Sequence, residues 1–259
     1  MHSFSKLILT AAVVLPLLGG CKKSTDGSSA TTTTTTTTTT TPAVLPAPYN
    51  KIYNVTQAYT EGNFLVVKTT DLPDHKSPYY QTTPWESTKY EAYNGPGPFV
   101  INPNRIVSQN ITFKIPMNPA VAAVHVATPM GPIGVAINGV PLFNQYAAGG
   151  AALTGEIVSF DQYNGHPQMS GQYHYHVEPL WLTTTKGKDA LLGFLLDGFP
   201  VYGPKENGVT LTTAMLDAYH GHSTVTADYP AGIYHYHITA DAPYINGSGF
   251  YGTQGTVTQ

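Results

Sequence analysis

The chain predicts a mainly β domain, a β-sandwich or barrel-like fold with few short helices, over residues 49–259. Three observations carry that expectation. Charged residues make up only 10% of the sequence, while Gly, Pro, Tyr and Thr are plentiful, a balance that favours strands and turns over long helices. The apolar runs are short, rich in β-branched residues and bounded by Gly, Pro or Asn. A unit of roughly sixty residues occurs twice, the kind of self-similarity that fixes an architecture before any single element does.

A length of 259 residues with 41% apolar content supports one large domain or two small ones. Formal charge is −3 with His neutral, and no Lys/Arg cluster lies outside the N-terminus. Nucleic acid is therefore not an expected partner, because phosphate binding needs a concentrated basic surface.

Residues 1–21 read as a targeting segment. Lys6 supplies the positive start, and Leu7 to Leu18 is an apolar stretch too short to span a bilayer. It ends in Leu18-Gly19-Gly20-Cys21, which resembles the bacterial lipobox. That resemblance implies cleavage before Cys21, lipid on its sulfur and anchoring to a membrane of the cell envelope. Cys21 is the only cysteine, so the mature domain is expected to have neither disulfide nor thiolate ligand. Residues 22–48, with an unbroken threonine run at 31–41 and a Pro-rich end, read as a disordered tether, since they cannot bury enough apolar surface to offset their ordering entropy.

Within the domain, Asn63 to Lys68 and Ile106 to Ile115 have the pattern of strands, the second ending at Pro116. Tyr79, Tyr80, Trp85, Tyr90 and Tyr93 lie between them. Such an aromatic loop either packs beneath itself or offers a face to a sugar or a protein. Ala120 to His125 and Gly134 to Ile137 are further short apolar runs predicted as strands. Leu211 to Tyr219 is predicted as a short helix capped by Thr212 or Thr213.

The two copies span residues 134–178 and 193–241. Gly134 to Phe143 matches Gly193 to Tyr202, with Asn138-Gly139 and Asp197-Gly198 at the same place. Asn-Gly or Asp-Gly followed by apolar residues is a hairpin signal. Asp161-Gln-Tyr163-Asn-Gly165-His166 then matches Asp217-Ala-Tyr219-His-Gly221-His222, and Tyr173-His174-Tyr175-His176 matches Tyr234-His235-Tyr236-His237.

Each tetrapeptide is flanked by β-formers and reads as a strand, Gln172 to Val177 and Ile233 to Thr239. Strand side chains alternate, so His174 and His176 share one face, as do His235 and His237. Their origins are about 6.6 Å apart, close enough for both rings to converge on one metal ion. His166 and His222 arrive from Gly-containing turns and supply a third imidazole in each copy, with Gly165 and Gly221 permitting the bend. Asp161 and Asp217 are candidates to orient the rings by hydrogen bonding, and Glu178 extends the first histidine face. Imidazole with supplementary carboxylate points to zinc or copper. The spacing leaves open whether the copies hold one shared ion or two. His75, His125 and His220 lack a histidine partner in the repeat and read as ordinary residues. The bland alternative for all six repeated histidines is a hydrogen-bonded Tyr/His ladder.

Taken together, the repeated Tyr-His-Tyr-His strands, D-x-Y-x-G-H and Leu196-Asp197-Gly198-Phe199-Pro200-Val201-Tyr202-Gly203-Pro204 resemble the YHYH domain family over residues 120–252. The resemblance implies a secreted or envelope protein and no particular activity. Relatives often carry a cysteine before the Gly-His turn, where this chain has Tyr163 and Tyr219.

Three functions compete on sequence. The first is a membrane-anchored lipoprotein that binds a divalent transition metal. The second is a metal-dependent enzyme, hydrolase or copper oxidoreductase, whose ion activates water or oxygen. The third is a polysaccharide- or protein-binding module with structural histidines. No nucleophile elbow and no phosphate-binding glycine loop is present.

Overall fold

The computed structural model describes residues 44–259. The leader, Cys21 and the threonine run lie outside the described residues. Leu45 and Pro48, at the end of the expected tether, pack onto the domain.

Two strands open the domain, the polar β1 (Gln57–Glu61) and the largely buried β2 (Phe64–Thr69), joined as an antiparallel hairpin. A short helix α1 (Glu86–Lys89) interrupts the aromatic loop before β3 (Ile111–Pro116). The first repeat contributes β4 (Pro132–Ala136), β5 (Pro141–Phe143), the small β6 (Tyr146–Ala147) and β7 (Ala151–Ala152), then β8 (Gly165–Pro167) and β9 (Tyr173–Tyr175). Helix α2 (Leu180–Lys186) links the copies. The second repeat runs through β10 (Leu191–Leu195), β11 (Pro200–Tyr202), the small β12 (Lys205–Glu206) and β13 (Val209–Thr210), then β14 (Gly221–Thr224) and β15 (Ile233–His237). β16 (Thr256–Thr258) returns to pair with β3.

The larger sheet has the order β14-β15-β11-β10-β4-β5-β9-β8. It is a palindrome of the two repeats about the antiparallel pair β4 and β10. Val135 faces Phe194 there, and these two positions are equivalent in the repeat. Register shifts fall at equivalent places too, between Pro132 and Gly134 and between Leu191 and Gly193. The domain therefore has a pseudo-two-fold axis at its central strand pair. The smaller sheet, β1-β2-β3-β16, is antiparallel throughout.

One core unites them. Leu65, Val67 and Phe113 of the smaller sheet belong to the same buried cluster as Val135, Leu142, Phe194 and Val201 of the larger. All five residues of β4 and of β10 are buried, as expected of central strands covered on both faces. The fold is mainly β and sandwich-like, without barrel closure among the described residues. No helix among them is long and apolar enough to cross a membrane.

Several local expectations change. Ala120 to His125 is not a strand: it makes one isolated bridge, Val121 to Gly252, with another just beyond it at Ala127 to Gly249, and Val121 and Val124 are exposed. Strand β3 starts at Ile111, because the amides of Ile106 and Val107 bond Tyr79 and Gly171 instead of a ladder. The predicted helix at 211–219 shrinks to one turn, Thr213–Met215, with no cap from Thr212. The Thr213 hydroxyl ties that turn to Ala242 instead.

Gly165 and Gly221 lie in strands β8 and β14 and not at the bend. The left-handed bend falls one residue earlier, at Asn164 (φ 64°) and His220 (φ 75°). The glycines are needed because a tyrosine ring crosses them. A Cβ on Gly165 would stand 2.3 Å from the Tyr173 ring, and one on Gly221 2.5 Å from the Tyr234 ring. Gly165→Ala is expected to cost about 1–3 kcal/mol through overpacking, read as a lower urea midpoint with unchanged slope. An unchanged midpoint would show that the ring moves aside freely.

Candidate metal centres

Alternation on β9 and β15 puts two histidines of each tetrapeptide on one face, as the strand period requires. The third histidine joins from the neighbouring strand: His166 on β8 pairs directly with His174, and His222 on β14 with His235. Cross-strand neighbours on one face start about 4.5–5.5 Å apart. A strand pair thus presents three imidazoles in a triangle. The two triangles lie near opposite ends of the eight-stranded sheet, five strand spacings or about 24 Å apart. They are two separate clusters.

In the first triangle the Nε2 atoms converge, His166 to His174 at 3.1 Å and His174 to His176 at 3.0 Å. The other nitrogens fix the tautomers. His174 Nδ1 donates to the Gln172 carbonyl at 3.1 Å and His176 Nδ1 to the Asn144 carbonyl at 2.6 Å. His166 Nδ1 donates to Ser159 Oγ at 2.8 Å, whose own proton goes to the Glu156 carbonyl. Three lone pairs therefore face one another with no proton between them. Two nitrogens on a tetrahedral zinc at 2.0–2.1 Å would be about 3.3 Å apart, close to the spacing seen.

The second triangle repeats the plan. His235 Nδ1 donates to the Ile233 carbonyl at 3.0 Å and His237 Nδ1 to the Gly203 carbonyl at 2.8 Å. The Nε2 atoms of His222, His235 and His237 have no hydrogen-bond partner, although buried polar atoms ordinarily find one. Glu206 on β12 adds a carboxylate, 3.3 Å from His222 Nε2 and 3.6 Å from His235 Nε2. All four ligand atoms lie within 4.8 Å of one another, as do those of the first triangle.

Such a strand-borne triangle, twice, inside matched Tyr-His-Tyr-His motifs is what the comparisons with known proteins also pick out. The model of the family described as YHYH protein matches residues 112–208 and 206–249, more than half of the chain. The chain belongs to the YHYH family. No curated protein and no solved structure matches it.

The motif's tyrosines occupy the opposite face and work as struts. In each copy of this YHYH protein the first tyrosine bonds the aspartate of D-x-Y-x-G-H, Tyr173 to Asp161 and Tyr234 to Asp217, both at 2.9 Å. The second bonds the hairpin residue, Tyr175 to Asn138 at 3.3 Å and Tyr236 to Asp197 at 2.6 Å. Asp161 and Asp217 do not touch a histidine ring. Their carboxylates cap the following turn, through the amides of Tyr163 and Gly165 and of Tyr219 and Gly221. Glu178 likewise points elsewhere and pairs with Lys188 at 3.5 Å.

His75 lies under the first motif, its Nε2 3.0 Å from the Tyr175 hydroxyl and its ring against Tyr163 and Trp181. His125 stacks on Tyr219, and His220 bonds Thr239. Tyr79 and Tyr80 of the aromatic loop are fully buried, so their faces are spent on the core. Glu206 escaped the sequence reading. The repeat places Ala147 at the same position of the first copy, where Glu156 instead brings a carboxylate 3.8 Å from His166 Nε2; neither acid falls in the matched motifs, so spacing gave no signal.

Burial keeps the histidines neutral. It lowers His166 to about 3 and His176 and His237 to about 4, and it pushes His174 and His235 down as well. For Glu206, burial raises the carboxyl, but the Thr224 hydroxyl and the histidines bring it below its usual value. An unfolded imidazole takes up its proton near pH 6.5, whereas these do so only in stronger acid. Between those values the unfolded chain binds more protons, so acid favours unfolding. Asp71, Asp161 and Asp197, all raised by burial and Asp197 to about 6, act in the opposite sense but are outnumbered. Metal-free protein is therefore expected to lose stability from pH 6.5 towards pH 4, by up to about 1.4 kcal/mol per pH unit for each histidine. Urea midpoints measured across that range check it; a flat profile would show histidines that titrate normally.

Proposed function

We propose that this protein is a membrane-anchored extracytoplasmic lipoprotein that binds two divalent transition-metal ions, one in each repeat. The observation that carries the reading is the convergence of Nε2 lone pairs in rings of which five, all but His222, have Nδ1 already committed to oxygen. Neutral imidazoles arranged so repel one another unless a cation sits between them. The Nδ1–H donation is the orienting contact that metal-bound histidines ordinarily make. His166, His174 and His176 hold the first ion, and His222, His235, His237 and Glu206 the second. Three imidazoles with a carboxylate and no sulfur suit zinc or copper(II). The ions add cross-links between strands that have no disulfide to brace them.

The location rests on the N-terminal segment. Lipid on Cys21 holds the chain at the envelope membrane, and the threonine-rich stretch spaces the domain from it.

Full-length protein, purified without a histidine tag and dialysed against zinc, is expected to retain two equivalents by elemental analysis. His235→Ala with His237→Ala should leave one equivalent, and His174→Ala with His176→Ala should leave the other. Loss of both ions in either variant with the fold intact, or no ion in the parent chain, would refute the two-site reading. Cys21→Ser should move the protein from the membrane fraction to the soluble envelope fraction; retention on the membrane would remove the lipid anchor from the proposal.

A further inference from the structure

The two centres are alike in ligands and unlike in surroundings. The first is closed by aromatic rings. Phe143 stacks on His174 at 4.0 Å between centroids, and Phe160 stands 4.7 Å from His166 and parallel to His176 at 5.9 Å. All three histidines are buried. In the second copy Phe143 becomes Tyr202, which meets His235 edge-on, and Phe160 becomes Leu216, which is only partly buried. His222 and Glu206 keep 26% and 19% of their side chains exposed.

A cavity of about 450 Å³ adjoins that second centre, with His235, His237 and Glu206 in its wall. This is within the usual size of small-molecule sites, roughly 300–1,000 Å³. Its wall has an apolar part, including Leu191, Val225 and the Tyr202 ring, and a charged part. Lys51, Lys186 and Lys205 line it, matched by Asp189, Asp228 and Glu206. Without an ion the lining is neutral. A divalent ion therefore brings two positive charges that the wall does not offset.

The lysines differ in availability. Lys51 is paired with Asp228 at 2.6 Å. Lys186 lies over the Tyr53 ring at 4.6 Å. Among the described residues no carboxylate pairs with Lys186 or Lys205. Lys205 and Glu206 are neighbours on β12, and they stand where β6 of the first copy has Tyr146 and Ala147. The second copy thus has a ligand carboxylate and an unpaired cation in adjacent positions, beside a cavity whose wall includes two of its histidines.

We infer that the second centre is a binding site for a small organic anion, whose carboxylate or phosphate oxygen would add to the ion as a fifth ligand beside His222, His235, His237 and Glu206, while Lys205 and Lys186 neutralise its remaining charge. The apolar wall takes the body of the anion. In the first centre Phe143 and Phe160 crowd the three imidazoles and Glu156 Oε2 lies 3.8 Å from His166 Nε2, so the fourth position there falls to that carboxylate or to water and not to an organic anion. The inference rests on the two-ion reading above and assigns distinct roles to the ions.

Cobalt(II) in place of zinc makes the test spectroscopic. Full-length protein loaded with two equivalents of cobalt is titrated with benzoate and with inorganic phosphate, and the visible absorption is followed. A saturable change in the spectrum is expected, of amplitude consistent with one of the two ions. It should persist in the His174→Ala, His176→Ala variant and vanish in the His235→Ala, His237→Ala variant. Lys205→Ala with Lys186→Ala should keep both cobalt ions and weaken anion binding about tenfold or more, the scale of a lost charge-assisted contact. Cobalt uptake with a spectrum indifferent to both anions overturns this inference and leaves the metal reading standing. Equal anion affinity in the lysine variant, or a response that follows the first centre, overturns it as well. Failure to take up cobalt or zinc removes the metal reading and this one with it.

Discussion

The antiparallel contact between β4 and β10 is the constraint from which the rest of the arrangement follows. Val135 opposite Phe194 places equivalent residues face to face, so each copy must build outward from the middle in the same order. Strand, hairpin return, motif strand and edge strand follow on both sides. The motif strand pairs in parallel with the hairpin return on each side, β9 with β5 and β15 with β11. That parallel contact brings the carbonyl of the residue after each return, Asn144 or Gly203, to the second histidine of the motif. The centres therefore depend on the central pair although neither touches it.

Much of this was legible in the sequence. Order and identity of the repeated segments set the palindrome, and Asn138-Gly139 and Asp197-Gly198 mark hairpins that form. The strand period put His174 with His176 and His235 with His237 on one face. What the sequence could not settle was which acceptor wins each donor. Asp161 is four residues from a glycine amide and five from a histidine ring, and spacing serves either. The backbone amides and a tyrosine hydroxyl win because the turn brings them within bonding distance of the carboxylate first. Ala120 to His125 misled for a different reason. Its composition is apolar, but it meets the C-terminal segment only through an isolated bridge, and Val121 and Val124 remain at the surface.

The copies have diverged where they meet solvent and agree where they meet each other. Tyrosine struts, turn aspartates and the carbonyl contacts of the motif histidines are matched. The differences gather around the mouths of the triangles, at Phe143 against Tyr202, Phe160 against Leu216, and Tyr146-Ala147 against Lys205-Glu206. A duplicated scaffold separates two demands that conflict in a single site. A tightly enclosed ion is stable because it exchanges nothing, and a useful one must exchange something.

The third histidine of each triangle sits on an outermost strand, β8 or β14. An outermost strand is held on one side only, and its unpaired backbone is the usual starting point for fraying and for adhesion between molecules. β8 is three residues long and ends in Pro167, which already blunts it. An ion bridging His166 to His174, or His222 to His235, would rivet the strand to its neighbour across the ladder. Under the two-ion reading metal occupancy would govern whether the margins of the sheet stay shut, and starvation for metal would be felt first as slow self-association of the protein and only afterwards as unfolding.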